Sequence, residues 1–123
     1  MNYDIVTTIL AINPNAPFVL EGNNYADIQW RDENIPMPTE EECVQKAAEL
    51  AYQEEVNEYQ RQRVREYPPY ADQFDQIFHE GIDTWKATIL EVKRKYPKQV
   101  MQSEVLEERK RQALADLEAS RSE

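Results

Sequence analysis

The sequence predicts an α+β fold: an N-terminal β-hairpin packed on a mainly α-helical body with one long helix and a helical hairpin. Three observations carry this. Apolar and polar residues alternate on both sides of Gly22-Asn23-Asn24, the pattern of paired strands around a turn. No proline or glycine interrupts residues 40–66. Beyond Pro68-Pro69, apolar residues recur at intervals of three and four, the period of a helix face.

The first segment runs from Met1 to about Pro14. Ile5, Ile9 and Ile12 share one helical face, although the β-branched run from Ile5 to Ile9 also suits a strand; a short helix is the reading adopted. Asn13-Pro14 ends it, because the residue before a proline avoids the helical region. In the hairpin, Phe18 and Leu20 alternate with Val19 and Glu21, and Ala26, Ile28 and Trp30 with Asp27 and Gln29. An isolated hairpin is marginal in water, so its apolar face must pack on the helices.

The long helix begins after Pro36-Met37-Pro38. Thr39 with Glu42 three residues on forms a capping-box pattern, and Glu40, Glu41 and Glu42 suit the positive end of the helix dipole. Val44, Ala47, Ala48, Ala51, Tyr52, Val56 and Tyr59 make a thin apolar stripe, and Arg61, Arg63 and Arg65 occupy the far end. So narrow a stripe suits burial against another helix or another chain, and a homo-oligomer through the 40–66 helix is expected. Tyr67-Pro68-Pro69-Tyr70 then breaks the chain direction. Asp72 is a candidate cap for the next helix, with Phe74, Ile77 and Phe78 at the buried spacing, and Gly81 suits its C-terminal left-handed position. Asp83 is a candidate cap for the last body helix, whose stripe is Trp85, Ile89, Val92 and Tyr96 and which Pro97 stops. Residues 1–98 thus read as one α+β domain. Residues 99–123 read as a charged C-terminal helix from Glu104 to about Ala119, with Ser103 as its candidate cap, or a frayed tail, since Val100, Leu106, Ala113, Leu114 and Leu117 are too sparse for a packed face.

Composition narrows the function classes. Among 123 residues, 24 acids against 14 bases give a net charge of -10, which disfavours a nucleic-acid binder. No apolar run approaches a membrane span, and no signal-peptide pattern opens the chain. One cysteine and one histidine cannot build a structural zinc site. Neither cofactor nor metal is expected. Cys43 lies in the first turn of the long helix, where the dipole lowers a thiol pKa but the adjacent glutamates raise it; an ordinary, partly buried thiol is the reading. His79 has Asp75 and Asp83 four residues to either side, yet it reads as a structural or interface histidine rather than a catalytic one. No catalytic residue is assigned. The segment 65–98 is dense in aromatics and proline. It reads both as a small helical core and as a docking surface, with Tyr67, Pro68, Tyr70, Gln73, Phe74, His79 and Trp85 as the candidate partner interface.

Two stretches carry a resemblance. The hairpin followed by Pro36-Met37-Pro38-Thr39-Glu40-Glu41-Glu42 resembles the XkdW-like small phage proteins. The run from Tyr59 through Tyr67-Pro68-Pro69-Tyr70-Ala71-Asp72-Gln73-Phe74-Asp75 to Phe78-His79-Glu80-Gly81 resembles a segment of small tail-region proteins of tailed phages, as do Trp85-Lys86 and Val92-Lys93-Arg94-Lys95-Tyr96-Pro97. The resemblance covers residues 15–98, and Pro69 and the extension after Lys98 depart from it. It implies a non-enzymatic, tail assembly chaperone-like protein that binds phage tail or other virion proteins in the host cytoplasm. A permanent tail, neck or baseplate component of the virion is the alternative. An acidic regulator of a host protein is the second alternative, weakened by the Arg and Lys mixed among the acids of the second half.

Overall fold

The computed structural model describes residues 3–122, which fold as an α+β chain of five helices and one two-stranded antiparallel hairpin. They form two compact units. Unit 1 contains the chain up to Gln53 and the segment from Met101 onward; unit 2 is Glu54–Val100. This division differs from a 1–98 body with a separate tail, because the C-terminal segment belongs to unit 1.

Unit 1 opens with helix α1, Ile5–Ile12, capped by the Asp4 carboxylate, which accepts from the Thr7 amide at 3.0 Å. Strand β1, Phe18–Leu20, pairs with β2, Ile28–Trp30, in the register Phe18 to Trp30. Phe18, Leu20, Ile28 and Trp30 turn inward and Val19 and Gln29 outward, as the alternation predicts. The second strand is shorter than the alternation suggests, because Tyr25–Asp27 form a 3-10 turn. The Asp27 carboxylate reaches back to the amides of Asn23 and Asn24 at 3.2 and 3.1 Å, and that local bond outcompetes the ladder. Gly22 sits at φ 135°, and a Cβ there would collide with the same carboxylate.

The hairpin packs on α1 and on the start of helix α2, Glu40–Glu66, around the buried residues Ile5, Ile9 and Cys43. Phe18 stacks on Trp30 with ring centroids 6.4 Å apart. Two polar-tipped aromatics find acceptors here: Trp30 Nε1 donates to the Ile35 carbonyl at 2.8 Å and the Tyr25 hydroxyl to the Pro38 carbonyl at 2.7 Å. Thr39 caps α2 as expected, its hydroxyl accepting from the Glu42 amide at 3.1 Å. Of the stripe on α2, Val44, Ala47, Tyr52, Val56 and Tyr59 are buried and Ala48 is half-buried within one chain, while Ala51 is exposed. Much of the stripe is thus buried within this chain.

Helix α5, Ser103–Arg121, has Gln102 and not Ser103 as its N-cap; the Gln102 carbonyl accepts from the Leu106 amide at 2.9 Å, without a side-chain cap bond. It is packed, not frayed: Ala113 and Leu117 are buried with Val44, and Leu114 and Ala48 lie against them. Polar ties reinforce this. The Tyr52 hydroxyl accepts from the Gln102 amide at 3.0 Å, and the Arg109 guanidinium lies 5.3 Å above the Tyr52 ring. Arg121 forks across Glu41 and Glu40 at 2.6 and 3.1 Å. A stripe too sparse to hold a helix alone suffices when small α2 residues allow close approach.

Unit 2 contains the end of α2, helix α3, Tyr70–Glu80, and helix α4, Ile82–Lys95. Pro69, not Asp72, is the N-cap of α3, and its carbonyl accepts from the Gln73 amide at 3.0 Å. Asp72 lies inside the first turn. Gly81 ends α3 at φ 92° and ψ 165°, positive in φ but extended in ψ, and also caps α4 in place of Asp83. One residue thus serves both helix ends, a conformation open mainly to glycine.

Candidate functional site

The aromatic segment of unit 2 divides sharply between a locked interior and an open exterior. Trp85 and Gln73 belong to the interior. Gln73 is buried; its Oε1 accepts from Trp85 Nε1 at 3.0 Å, and its Nε2 donates to the Pro68 carbonyl at 2.7 Å. Gln76 Nε2 donates to the Thr88 hydroxyl at 2.8 Å. Amide side chains therefore join the two helices; on the same helices Ile77 and Ile89 are half-buried and Val92 is buried. Each buried polar group is matched, as a low-dielectric contact demands. Tyr67 and Pro68 are half-buried at the entry turn.

The exterior holds the other aromatics. Tyr70, Phe74 and Phe78 are 79%, 68% and 84% exposed, and Ile82 at the start of α4 is 54% exposed. Residues four apart lie on successive turns of one face, so the three rings line α3 along its outer side. This corrects the expectation that Phe74 and Phe78 form the core with Ile77. The helix has turned its glutamines inward because the Trp85 indole N–H and the Pro68 carbonyl need partners there. His79 is exposed and makes an edge contact with Phe78, ring centroids 5.0 Å apart.

The last turns of α2 are tied to the end of α4. Arg63 Nε donates to the Tyr96 carbonyl at 2.8 Å while its guanidinium lies 4.9 Å over the Tyr59 ring. Glu66 accepts from Lys95 Nζ at 3.2 Å and from the Tyr96 hydroxyl at 3.1 Å. These two hydrogen bonds and the Lys95 charge hold the Glu66 carboxyl below its usual value. Arg61 bridges Glu58 and Glu54, and Arg65 joins Glu58. The paired arginines lower the Glu58 carboxyl in the same way.

Of the seven residues expected at an interface, Tyr70, Phe74 and His79 lie on the exposed side of unit 2. Gln73 and Trp85 are committed to each other, and Tyr67 and Pro68 to the turn. Phe78, expected at the buried spacing, and Ile82, not singled out in the sequence, are exposed on the same unit. Their signal was present in the four-residue spacing from Tyr70, but the same spacing also describes a buried stripe.

Chemistry elsewhere is muted. A cavity of about 310 Å³ in unit 1 is lined by Tyr3, Tyr25, Glu40, Val44, Leu117 and Ser120, among others. Burial pushes the Tyr3 hydroxyl up to about 12, so it stays protonated. Burial, then the charges of Glu42 and Glu40, pushes the Cys43 thiol up to about 11. The thiolate, which is the nucleophile, is scarce at neutral pH. Among the described residues no group of three His, Cys, Asp or Glu side chains is placed to hold a metal ion, and no helix is long and apolar enough to cross a membrane. No family model, curated protein or solved structure matches the chain.

Proposed function

We propose that this chain is a non-enzymatic binding protein of tailed phages that engages other phage proteins during tail assembly through the outer face of α3. One observation supports this above the others: Tyr70, Phe74 and Phe78 line one side of α3 in water, with Ile82 also exposed at the start of α4. Soluble proteins seldom leave a patch of that kind uncovered unless it binds something, and aromatic anchors dominate protein interfaces. The phage setting comes from the sequence resemblance of residues 15–98. The net charge of -10 keeps a protein with such a strip, and any apolar partner it holds, dispersed.

The test is quantitative mass spectrometry of infected-cell lysate beside purified virions, combined with capture of tail proteins on the wild type and on F74S/F78S. An assembly factor is abundant in lysate and absent from particles, and the double variant loses the captured tail protein. A fixed copy number in particles overturns the assembly-factor reading and makes the chain a virion component. Capture undiminished in F74S/F78S removes α3 as the binding face.

A further inference from the structure

We infer that the outer face of α3 takes a cationic partner: an amphipathic protein segment whose apolar side chains lie on Tyr70, Phe74 and Phe78 and whose Lys or Arg side chains reach Asp75 and Asp72. This rests on the reading above that the face binds protein, and it adds the chemistry of what is bound.

The charge beside the rings has one sign. From Tyr67 to Trp85 the chain carries Asp72, Asp75, Glu80 and Asp83 and neither Lys nor Arg; the next cation is Lys86. All four carboxylates are exposed, and among the described residues none of them makes a hydrogen bond or an ion pair. On α2 of the same unit the opposite holds. Glu54 and Glu58 are held by Arg61 and Arg65, and Glu66 by Lys95. Local helix chemistry accounts for Asp72 alone, which stands in the first turn of α3 where the dipole favours a carboxylate. Asp75 is in mid-helix, and Glu80 is the last residue, where the dipole opposes it.

The acids and the rings adjoin. At about 100° per residue, Asp75 stands a little over a quarter turn from Phe74, on the Phe78 side, with Asp72 further round. Asp75 also lines a groove of about 470 Å³ with Asp72, His79, Glu80 and, from α4, Thr88, among others. The rings select for the same charge, because aromatic faces attract cations. The chain uses that attraction itself: Arg63 lies over Tyr59, Lys95 over Tyr96 and Arg109 over Tyr52. Among the described residues no Lys or Arg lies over Tyr70, Phe74 or Phe78.

The segment required is short. Tyr70 to Phe78 spans about 12 Å of helix axis, so a partner helix of two to three turns with apolar anchors on one face covers it. The net charge of -10 draws a basic segment in and repels an acidic one, a second copy of this chain included.

Fluorescence anisotropy on the full chain tests this with three labelled amphipathic peptides that share one leucine face and are flanked by Lys, by Gln or by Glu. The Lys peptide should bind tightest and should weaken as salt rises from about 50 to about 300 mM. D72N/D75N should weaken it about three- to tenfold, and F74S/F78S should weaken it too. E21Q/E33Q removes the same charge from exposed sites of unit 1 and should leave it unchanged. Each variant should keep the wild-type far-ultraviolet circular dichroism spectrum, since every substituted position is exposed. A Lys peptide that does not bind overturns the inference. So does a Gln peptide that binds as tightly, or a loss in E21Q/E33Q equal to that in D72N/D75N. A free chain whose mass doubles with concentration, but not in F74S/F78S, puts a second copy on the face. Flotation with phosphatidylcholine vesicles that F74S/F78S abolishes puts a lipid surface there. Either result also overturns it. The two readings fail separately. A Lys peptide bound through Asp72 and Asp75, with no tail protein captured, spares this inference and sinks the assembly reading. A tail protein lost by F74S/F78S, kept by D72N/D75N and not displaced by the Lys peptide does the reverse.

Discussion

The two units of this chain treat their apolar residues in opposite ways. Unit 1 draws Ile5, Ile9, Cys43, Val44, Ala113 and Leu117 inside, from segments far apart in sequence. Unit 2 leaves Tyr70, Phe74 and Phe78 outside and joins α3 to α4 with Gln73, Gln76, Trp85 and Thr88. Apolar burial is the main stabilising force and is not directional. Amide hydrogen bonds contribute little net stability but set one geometry. Unit 2 does bury Val56, Tyr59 and Val92, but the join between α3 and α4 is made by polar bonds, and the apolar groups of α3's outer side stay in water.

That contrast predicts a ranked set of responses. Ile9→Ala, at a fully buried site, should cost about 2–5 kcal/mol, measured by urea unfolding. A loss below the range would mean the unit 1 core is loosely packed. Next, Gln73→Ala strands the Trp85 indole N–H and the Pro68 carbonyl together and should cost about 1–3 kcal/mol. Gln73→Glu should restore only part of that, because it keeps the acceptor for Trp85 and loses the donor to Pro68. If Gln73→Ala is silent, the polar join does not set the geometry of unit 2.

Acid should loosen the ion-paired end of unit 2. The Glu58 and Glu66 carboxyls are lowered in the folded chain, so their contribution is full above the usual 4.5. It is lost as pH falls through the lowered folded values. Comparing urea midpoints at about pH 6 and about pH 3 should show the drop, and Glu66→Gln should shrink it. A drop of equal size in that variant would place the acid sensitivity elsewhere. Phe78→Ser is the smallest effect: at an exposed site the stability change should stay within about 0.5 kcal/mol. A larger loss would show that the ring is covered in the folded protein. Cys43 offers a check without mutation. A buried thiol held at about 11 should react with a thiol reagent far more slowly in the native than in the urea-unfolded chain.

Much of the element order is legible from local chemistry. The bounds of α2 follow from Thr39 at one end and Pro68-Pro69 beyond the other, and the inward set of the hairpin follows from its alternation. The orientation of α3 is not legible that way. Phe74, Ile77 and Phe78 share one helical spacing, but Gln73, Gln76 and Ile77 share another, and hydrophobicity alone selects the wrong face. The clue lies in partner need. A half-buried Trp85 requires an acceptor for its N–H, and Gln73 supplies one. The candidate surface was accordingly half visible: Tyr70, Phe74 and His79 fall on the exposed side, whereas Phe78 was expected inside, Ile82 went unassigned, and Gln73 and Trp85 turned inward.

What the sequence determined by itself is where the chain starts, stops and turns, because caps, prolines and glycine φ angles act over one to four residues. The Asp27 carboxylate folding back on its own loop is the same kind of local event. The tertiary structure decided which faces meet. It turned the glutamines of α3 toward Trp85 and laid α5 against Val44 and Ala48. Those outcomes depend on what stands opposite each face, and opposing residues lie from twelve to eighty positions away. Periodicity states that a helix has an apolar face. Only the partner across the gap determines whether that face is the buried one.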